Sequence, residues 1–196
     1  KRLGVSYLEH LLNYVPGFQS AITDASSTHD TVTARGKSAG TGGKEVLILL
    51  DGIRLNEDYV GGTRLSNRLI SIDNAERIEF IRGPSSTIYG SNAFLGAINI
   101  ITSKDRNDIT LKTGTTEKIF MSTNISKSFD EGYISLFAKY VDDRGDKLSL
   151  YDPADSNFNN SRDKYQAADL YLSGAWREWQ ASVRWVERSS HDHYIL

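Results

Sequence analysis

The sequence predicts an α+β domain over residues 1–104, followed over residues 105–196 by antiparallel strands of a transmembrane β-barrel. Three observations lead there. The first part combines short helix signals, apolar strand runs and glycine-rich loops. The second part repeats period-two alternation in segments of about the 9–11 residues that a tilted strand needs to cross a bilayer. Aromatic residues also concentrate there, with 13 of 20 falling after residue 104. The boundary is the polar run Lys104-Asp105-Arg106-Asn107-Asp108, which follows an apolar strand.

Taken in order, Ser6 to Leu12 reads as a short helix with Ser6 as cap, Glu9 three residues on, and Leu8, Leu11 and Leu12 on one face. Pro16-Gly17 ends it. From Thr23 to Lys44 the chain is rich in Ser, Thr and Gly, and seven of the 16 glycines fall between Gly36 and Gly62, which predicts long loops. Val46 to Leu50 is a buried-strand run, and Asp51-Gly52 before Ile53-Arg54-Leu55 is a hairpin signal. Ala75 to Ile81 alternates as a second strand and runs into Gly83-Pro84-Ser85-Ser86, where proline in a first helical turn predicts a short helix over Thr87 to Tyr89. Ala97 to Ile101 closes the unit as another apolar strand.

In the second part, Ile109 to Thr113 is a short candidate strand, and four longer ones follow around residues 119–126, 133–140, 167–176 and 179–186. In the last three, one face is uncharged through its middle and the other carries Lys139, Asp169 or Arg184. Tyr140, Trp176 and Trp179 lie near the ends of the uncharged faces, as in an interfacial girdle, with Trp185 less terminal. Asp130-Glu131-Gly132 and Arg177-Glu178 are tight turns, whereas Gly145 to Lys164 is a 20-residue polar loop. Alternation alone fits a soluble β-sandwich equally well. The aromatic ends and the short, long, short order of connections favour the barrel.

Composition narrows the chemistry. The net charge of −2, with no basic patch, gives no purchase on nucleic acid, and the absence of cysteine removes disulfides, thiolate zinc sites and cysteine nucleophiles. No run approaches a spanning helix. None of His10, His29, His191 and His193 sits in a catalytic motif, and His191-Asp192-His193 reads as a surface loop or a metal-holding triplet. No catalytic residue, metal ligand or resident cofactor is predicted.

The run Val46 to Asn56, then Glu76 to Thr102 containing Arg82-Gly83-Pro84-Ser85-Ser86 and Gly96-Ala97-Ile98-Asn99-Ile100-Ile101, resembles the plug domain of TonB-dependent outer-membrane receptors. Leu11 to Gly17 and Arg35-Gly36 stand where that family has its early helix and first Arg-Gly motif. The resemblance covers residues 3–104 and implies that the rest begins a barrel of about 22 strands, of which these 92 residues would supply about five. It implies the amino-terminal part of a longer receptor in the outer membrane of a Gram-negative bacterium, preceded by a TonB-contacting segment. Such a receptor binds and imports a scarce nutrient complex, a ferric siderophore, haem or cobalamin, when TonB pulls on the plug, and works as a monomer. Arg35 and Arg82 resemble the arginines that seat the plug against barrel glutamates. Ligand-facing loops would carry Asn56, Asp58, Tyr59 and Arg64, with Arg35 to Lys44 as another such loop. The alternative is a soluble plug-like binding or adhesion module without transport, which detergent dependence of the parent protein would distinguish.

Overall fold

The computed structural model describes residues 4–22, 30–38, 44–56, 62, 71–115, 117–152, 157–162 and 164–190. The chain packs as two units, one reaching Ser103 and the other starting at Lys104. No helix among the described residues is long and apolar enough to span a membrane.

The first unit runs α1 (Leu8–Leu12), β1 (Phe18–Ile22), β2 (Asp30–Ala34), β3 (Lys37–Ser38), β4 (Val46–Leu50), β5 (Ile53–Arg54), β6 (Ala75–Arg82), α2 (Ser86–Tyr89) and β7 (Gly96–Thr102). All five residues of β4 are buried, as a strand covered on both faces requires. It pairs in parallel with β7 and antiparallel with β5, and β6 flanks β7, giving the order β5-β4-β7-β6. Leu47, Leu49, Ala93 and Ala97 form a core against which Ile81 packs.

The β4–β5 turn is the expected one. Asp51 and Gly52 both have positive φ (49° and 83°), the conformation a two-residue hairpin with matching twist demands. The Asp51 carboxylate also accepts hydrogen bonds from the Thr102 N–H (2.8 Å) and Oγ1 (2.7 Å), pinning the end of β7 to the turn.

Three local expectations are corrected. Ser6 does not cap α1: the cap position is Tyr7, which makes no side-chain cap bond, while the Ser6 carbonyl accepts from Ile72 N–H (3.1 Å) and Tyr7 bridges Ser71. The helix expected over Thr87 to Tyr89 is present as α2, starting at Ser86, but Pro84 lies ahead of its cap residue Ser85 rather than in its first turn, and the Ser85 hydroxyl donates back to the Gly83 carbonyl (3.0 Å). The Ser, Thr and Gly stretch after Thr23 is not wholly loop. It holds β2 and β3, which build a three-stranded sheet with β1; alternation in Thr31-Val32-Thr33-Ala34 buries Val32 and Ala34.

The second unit comprises β8 (Asp108–Thr113), β9 (Ile119–Phe129), β10 (Gly132–Asp143), β11 (Lys147–Asp152), β12 (Asn157–Arg162), β13 (Tyr165–Trp176) and β14 (Trp179–Ser190). Five strands form one antiparallel sheet in the order β14-β13-β10-β9-β8. Its four longer strands have 11 or 12 residues, enough for a tilted crossing. The predicted 20-residue loop contains the hairpin β11–β12, held in part by the ring contact of Tyr151 with Phe158 at 5.4 Å.

Candidate functional site

Two arginine-glycine pairs meet on the first unit. Arg35 and Gly36 form the two-residue turn between β2 and β3, both with positive φ (57° and 72°), and the Arg35 N–H donates to the Gly17 carbonyl (2.9 Å). Arg82 ends β6, and Gly83 follows with φ 111°. A Cβ at Gly83 would stand 3.1 Å from Arg35 Nη2, and one at Gly17 would stand 3.8 Å from the Arg82 Cδ. The bare Cα of Gly83 thus leaves room for the Arg35 guanidinium, whereas a Cβ at Gly17 would make only an ordinary contact with Arg82. Both arginines are exposed, and among the described residues neither has a carboxylate partner. The corner presents two exposed guanidinium groups, each a planar fork suited to a carboxylate.

The predicted ligand loop is reached only at its edge. Asn56 is buried; its amide donates to the Val46 carbonyl (3.1 Å) and its oxygen accepts from Ile48 N–H (2.9 Å). Both polar atoms are committed to β4, so the side chain ties the start of the loop that leaves β5 back to the neighbouring strand. Asp58, Tyr59 and Arg64 lie outside the described residues, as do His29, residues 39–43 and the His191 to His193 triplet. His10 packs edge-on against Tyr7, with centroids 6.1 Å apart.

Sequence reasoning missed a polar network beside this loop. Arg54 donates to Ser91 Oγ (3.1 Å) and Asn92 Oδ1 (2.5 Å), and Asn92 in turn donates to the Lys44 carbonyl (2.7 Å). Its one sequence signal was Ser91-Asn92 after Gly90, a turn pair in which Asn92 takes positive φ (74°).

The second unit carries a feature of its own, a sheet with its polarity inverted. Phe120, Ser122, Asn124, Lys139, Asp169, Tyr171 and Ser173 are buried on one face. There Lys139 opposes Asp169 across β10 and β13, Arg184 donates to both Asp169 oxygens (2.9 and 2.5 Å), and Lys112 and Lys139 lie over the Phe120 ring (4.4 and 5.2 Å). The opposite face is exposed yet apolar, carrying Ile125, Ile134, Leu170, Leu172, Val183 and Trp185.

Register arranges that apolar face in rows. At the short-turn edge Phe129, Gly132, Trp176 and Trp179 align across four strands. Next come Lys127, Ile134, Gly174 and Ala181, then Ile125, Leu136, Leu172 and Val183, then Thr123, Ala138, Leu170 and Trp185. Tyr140 shares the following row with Met121, Ala168 and Glu187, so Trp185 sits one row inside it. The eight steps from Trp176 to Ala168 span about 26 Å along the strand. Two charge-free rows lie in the middle of this span, between aromatic ends.

A family model for the TonB-dependent receptor plug domain matches residues 1–97. The chain carries a TonB-dependent receptor plug. The match takes in the arginine corner and ends at Ala97 within β7. Solved structures agree in fold. The siderophore receptor PirA from Acinetobacter baumannii is 20% identical with a TM-score of 0.69, over 96% of this chain and 30% of its own. A variant of the ferric enterobactin receptor PfeA from Pseudomonas aeruginosa, in complex with enterobactin, is 19% identical with a TM-score of 0.69, over 97% and 32%. The ferric yersiniabactin uptake receptor FyuA from Yersinia pestis is 19% identical with a TM-score of 0.61, over 94% and 29%. The chain spans less than a third of their length. Its fold is therefore a plug followed by antiparallel strands like those that follow the plug in these receptors.

Proposed function

We propose that this chain is the amino-terminal part of an outer-membrane receptor of a Gram-negative bacterium. In this reading residues 1–104 form the plug and residues 105–196 the first barrel strands. The receptor imports a scarce metal complex, a ferric siderophore, haem or cobalamin, when TonB pulls on the plug. One observation carries the reading: a plug shares its chain with a sheet whose exposed face is apolar and free of charge in its middle rows, and whose other, charged face is buried. A soluble sheet buries its apolar face, since water favours the reverse arrangement by about 25 cal/mol for each Å² of apolar surface. The inverted sheet suits a lipid solvent outside and a polar lumen within.

The residues take roles on that basis. Arg35 and Arg82 seat the plug by pairing with wall carboxylates; in a water-poor crevice a guanidinium left without its partner costs several kcal/mol, so the pairs set both position and release. Asp58, Tyr59 and Arg64 face the ligand on a loop whose root Asn56 anchors to β4. Fold neighbours described as receptors for ferric enterobactin and ferric yersiniabactin, and one described as a copper transporter, support a metal complex as cargo. The test is uptake of radiolabelled ferric siderophore, haem and cobalamin by cells whose only receptor is the intact parent, with and without TonB. TonB-dependent accumulation of one of them is expected. A parent found in the aqueous fraction, with no TonB-dependent uptake of any, overturns the proposal.

A further inference from the structure

We infer that the apolar face of the second unit holds a glycerophospholipid at its short-turn edge, one acyl chain lying in a notch over Gly174 and the phosphate held by Lys127. The inference rests on the membrane reading above and adds a site to it. A cavity of about 500 Å³ opens on this face. Its floor is the small pair Gly174 and Ala181, directly opposed across β13 and β14. Trp176 and Trp179 wall it on the turn side, Leu172 and Val183 on the other. A Cβ at Gly174 would come within 3.2 Å of the Tyr133 carbonyl oxygen, a tight approach to which the β10 backbone would have to yield. The result is a slot one row deep, between the aromatic row and the charge-free rows.

The occupant follows from charge and continuity. Lys127 lies in the same row, paired across β9 and β10 with Ile134, which also lines the slot. It is exposed and has no partner among the described residues. Set on an apolar face one row from the aromatic edge, its long side chain reaches toward the headgroup level. The other cation at the rim, Arg177, lies over the Trp176 ring (4.8 Å) and is paired with Glu131 (2.9 Å), so Lys127 is the cation left to meet the anionic head of an amphiphile. The slot is also continuous with the face assigned to the bilayer, which argues for lipid over a second copy of the chain.

The intact receptor is reconstituted in vesicles of phosphatidylethanolamine and phosphatidylglycerol, floated on a density gradient, then extracted in mild detergent for native mass spectrometry. Retained phospholipid is expected on the wild type. Ala181→Leu fills the slot and lowers retention about tenfold, the effect of removing about two methylenes from contact, and Lys127→Gln lowers it with the slot intact. Equal retention by wild type and both variants overturns the site, as does a receptor dimer that dissociates in Ala181→Leu, which would make a second copy the occupant. A receptor that floats but retains no phospholipid overturns the site alone. One that fails to float overturns the membrane reading beneath it.

Discussion

Replacing Val183 by arginine tests which solvent the apolar face meets. Val183 is 70% exposed, in the third row from the short-turn edge, four residues from Trp179. Four residues advance about 13 Å along a strand, or about 10 Å along the membrane normal at a tilt of 35–45°, which puts Val183 near the middle of an apolar band about 25 Å tall. An arginine there costs about 2–4 kcal/mol in a bilayer, a factor of roughly 30 to 1000 in the folding equilibrium. On the surface of a water-soluble sheet the same change costs within about 0.5 kcal/mol. Ser182→Arg, one residue away on the polar face beside Ser173, is the control. The assay is urea titration of the intact receptor refolded into phospholipid vesicles. The expected result is a marked drop in midpoint for Val183→Arg and a much smaller one for Ser182→Arg. Equal drops, or a larger one for Ser182→Arg, would refute the assignment of faces.

Further expectations concern the plug. Asp51→Ala removes both acceptors for Thr102 and should destabilise the plug by about 2 kcal/mol, the scale of hydrogen bonds to a charged group, read as a lower urea midpoint. Arg82→Gln should loosen plug seating, seen as greater passive leak of small solutes through the intact receptor; unchanged leak would make Arg82 an ordinary surface residue. Side-chain hydrogen bonds from Arg77 and then Asn99 hold the Glu79 carboxyl below its ordinary value of 4.5. Its ionised form is thus favoured by folding, a contribution present above that value and lost as the pH falls through the lowered one. Glu79→Gln should differ from wild type in stability by a constant amount near neutrality, and the difference should shrink below about pH 4.5.

Apolar period was the most legible signal. The continuous run of β4 and the alternation of β6, β9, β10, β13 and β14 located those strands, because burial or lipid exposure of one face leaves its mark on every second residue. What escaped was structure made by backbone pairing among small polar residues. β2, β3, β11 and β12 are rich in Thr, Ser, Lys and Asn, which read as loop until a partner strand is in view. At the site, the Arg-Gly pairs were visible as motifs, but their convergence depends on the hairpin that brings Gly83 against Arg35. Asn56 looked like a free loop residue because its partners, Val46 and Ile48, precede it by ten and eight positions and face it only after the hairpin forms.

The central claim is that the exposed apolar face of the five-stranded sheet meets lipid. Single cysteines can be introduced in turn at positions 181 to 186 of β14 and spin-labelled, this chain having no cysteine of its own and any cysteine elsewhere in the receptor being replaced first. In the intact receptor in phospholipid vesicles, labels at 181, 183 and 185 should collide with dissolved oxygen and be shielded from a water-soluble nickel complex, with the reverse at 182, 184 and 186. Nickel accessibility at 181, 183 and 185 equal to or greater than that at their neighbours would contradict the account.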